Sequence, residues 1–85
     1  MELQYWQEDQ TRRVLMEFWG CWESGECLLR VLRVNPQTGV SRTLRLVRNP
    51  DAITAYALAE QYDLEPDEWF QAVNSWLSEA PPVLH

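Results

Sequence analysis

With 85 residues, 46% hydrophobic side chains and a formal net charge of -6, the chain is long enough for one globular domain and too apolar for intrinsic disorder. No apolar run reaches the length of a membrane span, the acidic start Met1-Glu2 lacks the basic and apolar regions of a secretory signal, and two cysteines are too few for a disulfide scaffold or a structural zinc site. A soluble, cytoplasmic protein that does not meet a membrane is therefore expected, with five Trp enlarging a core that in so short a chain is thin.

Taken in order, Leu3 to Gln7 reads as a short strand and Glu8 to Thr11 as a polar connection. Residues 13–22 place Val14, Met16, Phe18 and Trp22 on one side of a strand and Leu15, Trp19 and Cys21 on the other. Val14, Leu15, Phe18 and Trp22 also fit helical spacing, so the strand assignment rests on aromatic content, on Gly20 and on the turn that follows. Apolar on both sides, this strand should be central. If Glu23-Ser24-Gly25 forms a three-residue loop with Gly25 in the left-handed conformation, Cys21 faces Cys27 across the hairpin and a disulfide is within reach. In the two-residue Ser24-Gly25 register the thiols are offset. Without an export signal, two reduced thiols are expected.

Residues 27–34 and 40–48 flank Asn35-Pro36-Gln37-Thr38-Gly39, where Pro36 presets a turn and Gly39 supplies positive φ. A hairpin follows, with a register open by one residue. Its apolar residues, Leu28, Leu29, Val31, Leu32, Leu44, Leu46 and Val47, are too many for one face, so part of each side should be covered. Asn49-Pro50-Asp51 reads as a helix start, with Asn49 as cap and Pro50 in the first helical position, and the helix runs to about Tyr62. Ala52, Ala55 and Ala59 give it a small-residue side, and Ile53, Tyr56, Leu58 and Tyr62 supply bulk. A second start lies at Glu65-Pro66-Asp67-Glu68, after which Trp69, Phe70, Val73, Trp76 and Leu77 form one apolar stripe that ends at Pro81-Pro82. The pattern predicts an α+β fold, a three- or four-stranded antiparallel β-meander followed by two C-terminal α-helices packed on one sheet face. Its boundaries are a single domain over 1–80 and a short tail over 81–85.

Catalytic, metal and cofactor chemistry lacks a carrier. His85, the one histidine, stands at the chain end, no Gly-rich phosphate loop or Lys is present, and no nucleophile has an evident base. The acids Asp63, Glu65, Asp67 and Glu68 suit a helix start and lack the spacing of a calcium loop. Residues 57–77 have the rhythm of a helix-turn-helix, but the second helix opens with Asp67-Glu68 and contains no basic residue to meet phosphates. No enzyme activity, cofactor or metal is expected.

Charge is sorted along the chain: five arginines and no acid lie between Leu28 and Pro50, and seven acids without Lys or Arg follow from Asp51. The expectation is that Arg30, Arg33, Arg42, Arg45 and Arg48 pair largely with acids of the helices or with Glu17, Glu23 and Glu26. Trp69 and Trp76 belong to the helix stripe, whereas Trp6, Trp19 and Trp22 sit on strands whose second face two helices cannot cover. An aromatic patch with arginine nearby has the composition of protein interfaces. The reading is a small non-enzymatic accessory or regulatory protein that binds another protein through Trp6, Trp19, Trp22, Arg30, Arg33, Arg42 and Arg45, with a homodimer as one form of that association. Nucleic acid ranks behind protein as a partner, either bound by the arginine hairpin or mimicked by the acidic helices.

Overall fold

The computed structural model describes residues 1–79 and consists of strands β1 (Glu2–Asp9), β2 (Val14–Cys21), β3 (Glu26–Val34) and β4 (Ser41–Arg48), then helices α1 (Ala52–Gln61) and α2 (Pro66–Glu79). All strand pairings are antiparallel, in the order β1-β2-β3-β4. This is the expected α+β meander in its four-stranded form, with the aromatic segment as strand β2 between two neighbours. The Pro81-Pro82 stop and the 81–85 tail lie outside the described residues.

Each turn follows from its residues. Asp9 Oδ1 accepts hydrogen bonds from the backbone N–H of Thr11 and Arg12, at 3.0 and 3.3 Å, closing the β1–β2 connection, and Arg13 completes it with φ of 60°. The β2–β3 turn spans residues 22–25, with Gly25 at φ 73° and its N–H bonded to Cys21 O at 2.8 Å. That length pairs Cys21 with Glu26 and Gly20 with Cys27, so the two cysteines occupy opposite faces and both are free thiols. The β3–β4 loop is closed by Asn35, whose Oδ1 accepts from Gln37 N at 3.0 Å, and by Gly39, at φ 73°, whose N–H donates to Asn35 O at 2.7 Å.

Helix α1 starts two residues later than its sequence suggests. Asp51 is the N-cap, accepting from Thr54 N at 2.7 Å, and hydrogen bonding from the side chain and then the backbone of Thr54 holds its carboxyl below the usual range. Asn49 takes φ of 49° and serves β3 instead: its N–H donates to Cys27 O at 2.8 Å, and its Oδ1 accepts from Cys27 N at 3.1 Å. Asn tolerates left-handed backbone and its side chain can imitate a peptide, so extending the ladder wins over capping. Pro50 consequently precedes the cap and does not enter the helix. Helix α2 does begin at Pro66, with Asp67 and Glu68 in its first turn.

The core lies between the helices and one face of the sheet. Met16, Phe18, Leu29 and Val31 meet Trp69, Val73 and Trp76 of α2, and Ala55 and Ala59, both fully buried, fit α1 beside it. Trp76 is stacked at a tilt between Phe18 (centroids 5.6 Å apart) and Trp22 (5.2 Å). Gly20 makes room for it, since a Cβ there would stand 2.6 Å from the indole. Of the five-residue stripe on α2, only Trp69, Val73 and Trp76 are buried, at i, i+4 and i+7. Phe70 and Leu77, about 100° further round the helix, remain exposed, as does Ile53 of α1 at 76%. The indole N–H groups of Trp69 and Trp76 are buried without an acceptor among the described residues, a polar cost borne for the sake of aromatic volume.

A polar clasp fixes the start of α2 to β1. Tyr5 Oη and Gln7 Nε2 both donate to Glu68 Oε2 at 2.6 Å, Gln7 Oε1 accepts from Glu65 N at 2.7 Å, and the Tyr5 ring meets Trp69 edge-on at 4.9 Å. Partial burial and the hydrogen bond to Glu68 push the Tyr5 phenol above its ordinary pKa. Among the described residues no helix is long and apolar enough to cross a membrane.

Candidate protein-binding surface

Strand alternation divides the sheet into a helix-covered face and an open one. In β2, Val14, Met16, Phe18 and Gly20 are buried, while Leu15, Glu17, Trp19 and Cys21 are half-buried on the other side. Register then aligns the open face across all four strands. One row runs Trp6, Glu17, Arg30, Leu46, the next Leu3, Trp19, Leu28, Arg48, and a third Glu8, Leu15, Leu32, Thr43. A bulge before Tyr5 brings Leu3 opposite Trp19, and a second at Val31/Leu32 sets Thr43 opposite Leu32, which is itself buried. Cover over part of each side of the hairpin is seen at Leu29 and Val31 on one face and Leu32 on the other, all buried, whereas Leu46 and Trp6 are each 53% exposed and Leu3 is 41% exposed.

The charges in the Trp6–Leu46 row neutralise one another. Trp19 Nε1 donates to Glu17 Oε1 at 3.3 Å, Arg30 Nη1 stands 3.9 Å from the same oxygen, and Arg30 Nε donates to Thr43 Oγ1 at 3.2 Å. Glu17 thus leaves no uncompensated charge between Trp6 and Leu46. Arg48, at the end of the Trp19 row, has no carboxylate within 4.0 Å among the described residues.

Of the seven residues singled out from the sequence, the structure joins three here: Trp6, Trp19 and Arg30. Trp22 leaves the patch, because the four-residue turn folds it against Trp76 and closes the end of the core. Arg33 and Arg42 face each other at the opposite end of the sheet, near the β3–β4 loop, and Arg45 pairs with Val31 on the helix-side register. Of the two expected sets of partners for the hairpin arginines, the helix acids are not met among the described residues, whereas Arg30 does meet Glu17, the partner expected within the sheet; the helix-side acid that finds a cation, Asp63, binds Arg12, at 2.5 Å. Topology explains this: β1 runs beside the start of α2, so the acids around the helix link meet β1 and its turn, while β4 lies at the far edge.

Sequence reasoning missed Leu3, Leu28 and Leu46 as members of the surface. The alternation of β2 already assigns the row of Leu15, Glu17 and Trp19, but the residues opposite them depend on two bulges and on turn length. A smaller exposed patch lies on the helices, where Ile53 and the edge-to-face pair Tyr56–Phe70 (centroids 6.4 Å) line a shallow depression beside Asp67. At one end of the open face, hydrogen bonding from Ser24 holds the Cys21 thiol below its ordinary pKa, whereas burial pushes Cys27 up. Among the described residues no group of three or more His, Cys, Asp or Glu side chains is placed to hold a metal ion.

No protein family, curated protein or solved structure matches the chain.

Proposed function

We propose that this chain is a non-enzymatic accessory protein that binds another protein through the open face of its sheet. The observation that carries the reading is the contiguous set Leu3, Trp6, Trp19, Leu28 and Leu46, drawn from all four strands and lacking a covering layer among the described residues. An apolar surface that combines tryptophan and leucine with arginine has the composition of interface hot spots. Glu17 and Arg30, already paired, can be desolvated with less loss than isolated charges, and Arg48 is free to orient a partner carrying an acid beside its own apolar contact. A second copy of the chain is one such partner.

The reading is tested by placing a photo-crosslinking residue at Trp6 or Leu46 of the full chain in its native cell extract, with Ile53 as the comparison position. Discrete adducts from positions 6 and 46, lost in a Leu3→Glu variant that stays folded, are the expected result. Adducts from position 53 alone would move the interface to the helices, and none from any position would remove the proposal. An adduct of twice the chain mass, with concentration-dependent light scattering, would identify the partner as a second copy.

A further inference from the structure

The end of the sheet remote from the Cys21–Glu26 turn gathers four arginines. Arg12 and Arg13 close the β1–β2 turn, and Arg33 and Arg42 flank the β3–β4 loop; together with Asn35, Thr38 and Ser41 they line an open cavity of about 620 Å³ with no acid on its wall. Sequence separation hides this cluster, since about twenty residues part the first pair from Arg33. The fold brings them together through a direct tie, Val34 N–H to Arg13 O at 2.9 Å.

Arg33 and Arg42 are direct cross-strand partners, an arrangement that is unfavourable for like charges unless something neutralises them. Within the protein little does. Arg12 is held by Asp63 at 2.5 Å and approached by Asp9 at 3.9 Å, but among the described residues Arg13, Arg33 and Arg42 have no carboxylate within 4.0 Å. The loop frame is fixed internally: the N–H groups of Asn35, Gln37, Gly39 and Val40 already bond within it. Recognition of a ligand there falls to guanidinium groups on a preformed support.

We propose that this cavity is a binding site for a ligand carrying two or more phosphate groups, with Arg13, Arg33 and Arg42 as its charged contacts. Three guanidinium groups call for more charge and more acceptor oxygens than one carboxylate offers, and the planar fork of Arg matches phosphate oxygens in pairs. The volume is of the size that ligand pockets occupy. Asp63 and Asp9 are engaged with Arg12, and charges beyond about 8 Å are screened at physiological salt, so the overall balance of -6 does not decide the local field. The chemistry is shared by free oligophosphates and by the backbone of a nucleic acid strand. The cavity shares no residue with the open-face set Leu3, Trp6, Trp19, Leu28 and Leu46.

Calorimetry with tripolyphosphate, and anisotropy with a labelled single-stranded oligonucleotide, test the site in the full chain at low and at raised salt. Binding that weakens with salt, drops at least about tenfold in Arg33→Gln/Arg42→Gln and in Arg13→Gln, and survives Arg48→Gln is the expected outcome. Tripolyphosphate as the tighter ligand identifies a free oligophosphate as the source, and the oligonucleotide as the tighter one identifies a strand backbone. Failure of both probes to bind, or undiminished binding in both Arg13→Gln and the double variant with circular dichroism unchanged, overturns the proposal.

Discussion

Phe18 and Trp19 are adjacent in β2, yet Phe18 is sealed beneath Trp76 while Trp19 lies half-buried beside Leu3 and Leu28 on the open face. On the covered face, aromatic residues are held by other aromatics and by one glycine shaped to admit an indole. The open face carries similar residues, but its hydrogen bonds satisfy Glu17 and Arg30 in place and leave Trp6 and Leu46 to solvent. The same side-chain chemistry therefore stabilises the fold on one side and lies open to solvent on the other.

Substitution at matched positions should separate these roles. Trp69→Ala, on the covered face, is expected to lower unfolding free energy by about 3–5 kcal/mol in denaturant titration, a large share of the stability of a small domain, whereas Trp6→Ala should change it by no more than about 0.5 kcal/mol. Comparable losses at the two positions would show that the open face is part of the core. Gly20→Ala comes next: the new methyl group must displace the Trp76 ring from between Phe18 and Trp22, at about 1–3 kcal/mol, seen as a lower midpoint with altered near-ultraviolet circular dichroism.

The clasp between β1 and α2 predicts a smaller effect with a pH signature. Tyr5→Phe removes a solvent-accessible hydrogen bond to Glu68 and should cost about 0.5–1 kcal/mol near neutrality. The folded pKa of Tyr5 is raised above its ordinary 10.0, so the fold favours the neutral phenol. That contribution is whole below pH 10 and is lost as pH rises through the folded value, so stability should fall less steeply above pH 10 in Tyr5→Phe than in the parent. The subtlest contrast is chemical and leaves stability untouched. A thiol-alkylating reagent near neutral pH should modify Cys21 well before Cys27, as mass spectrometry of the digested protein would show; equal rates would contradict the placement of the two thiols on opposite faces.

Much of the architecture was legible in the chain. Turn chemistry at Gly25 and Gly39, alternation through β2, and Pro66 ahead of an apolar stripe are local signals, and β2, the hairpin and α2 formed where they lay, while β1 ran on through Glu8 and Asp9, which read as a connection. The errors have one origin, competition between a local preference and a distant partner. Asn49 could have capped α1 and instead bonds Cys27, twenty-two residues away; Trp22 could have joined the open patch and instead meets Trp76. The arginine hairpin, which looked like a complement to the acidic helices, has its cations divided between two ends and two faces of the sheet.

The sequence by itself determined the type and order of the elements, because helix starts, tight turns and alternation are set within a few residues. It also determined that the apolar side chains exceed what two short helices can cover. Only the tertiary structure decided which of them stay uncovered and which arginines stand together. Those outcomes depend on strand register, and register here is set by two bulges and one turn length, each of which shifts a row of side chains relative to its neighbours without changing any local preference.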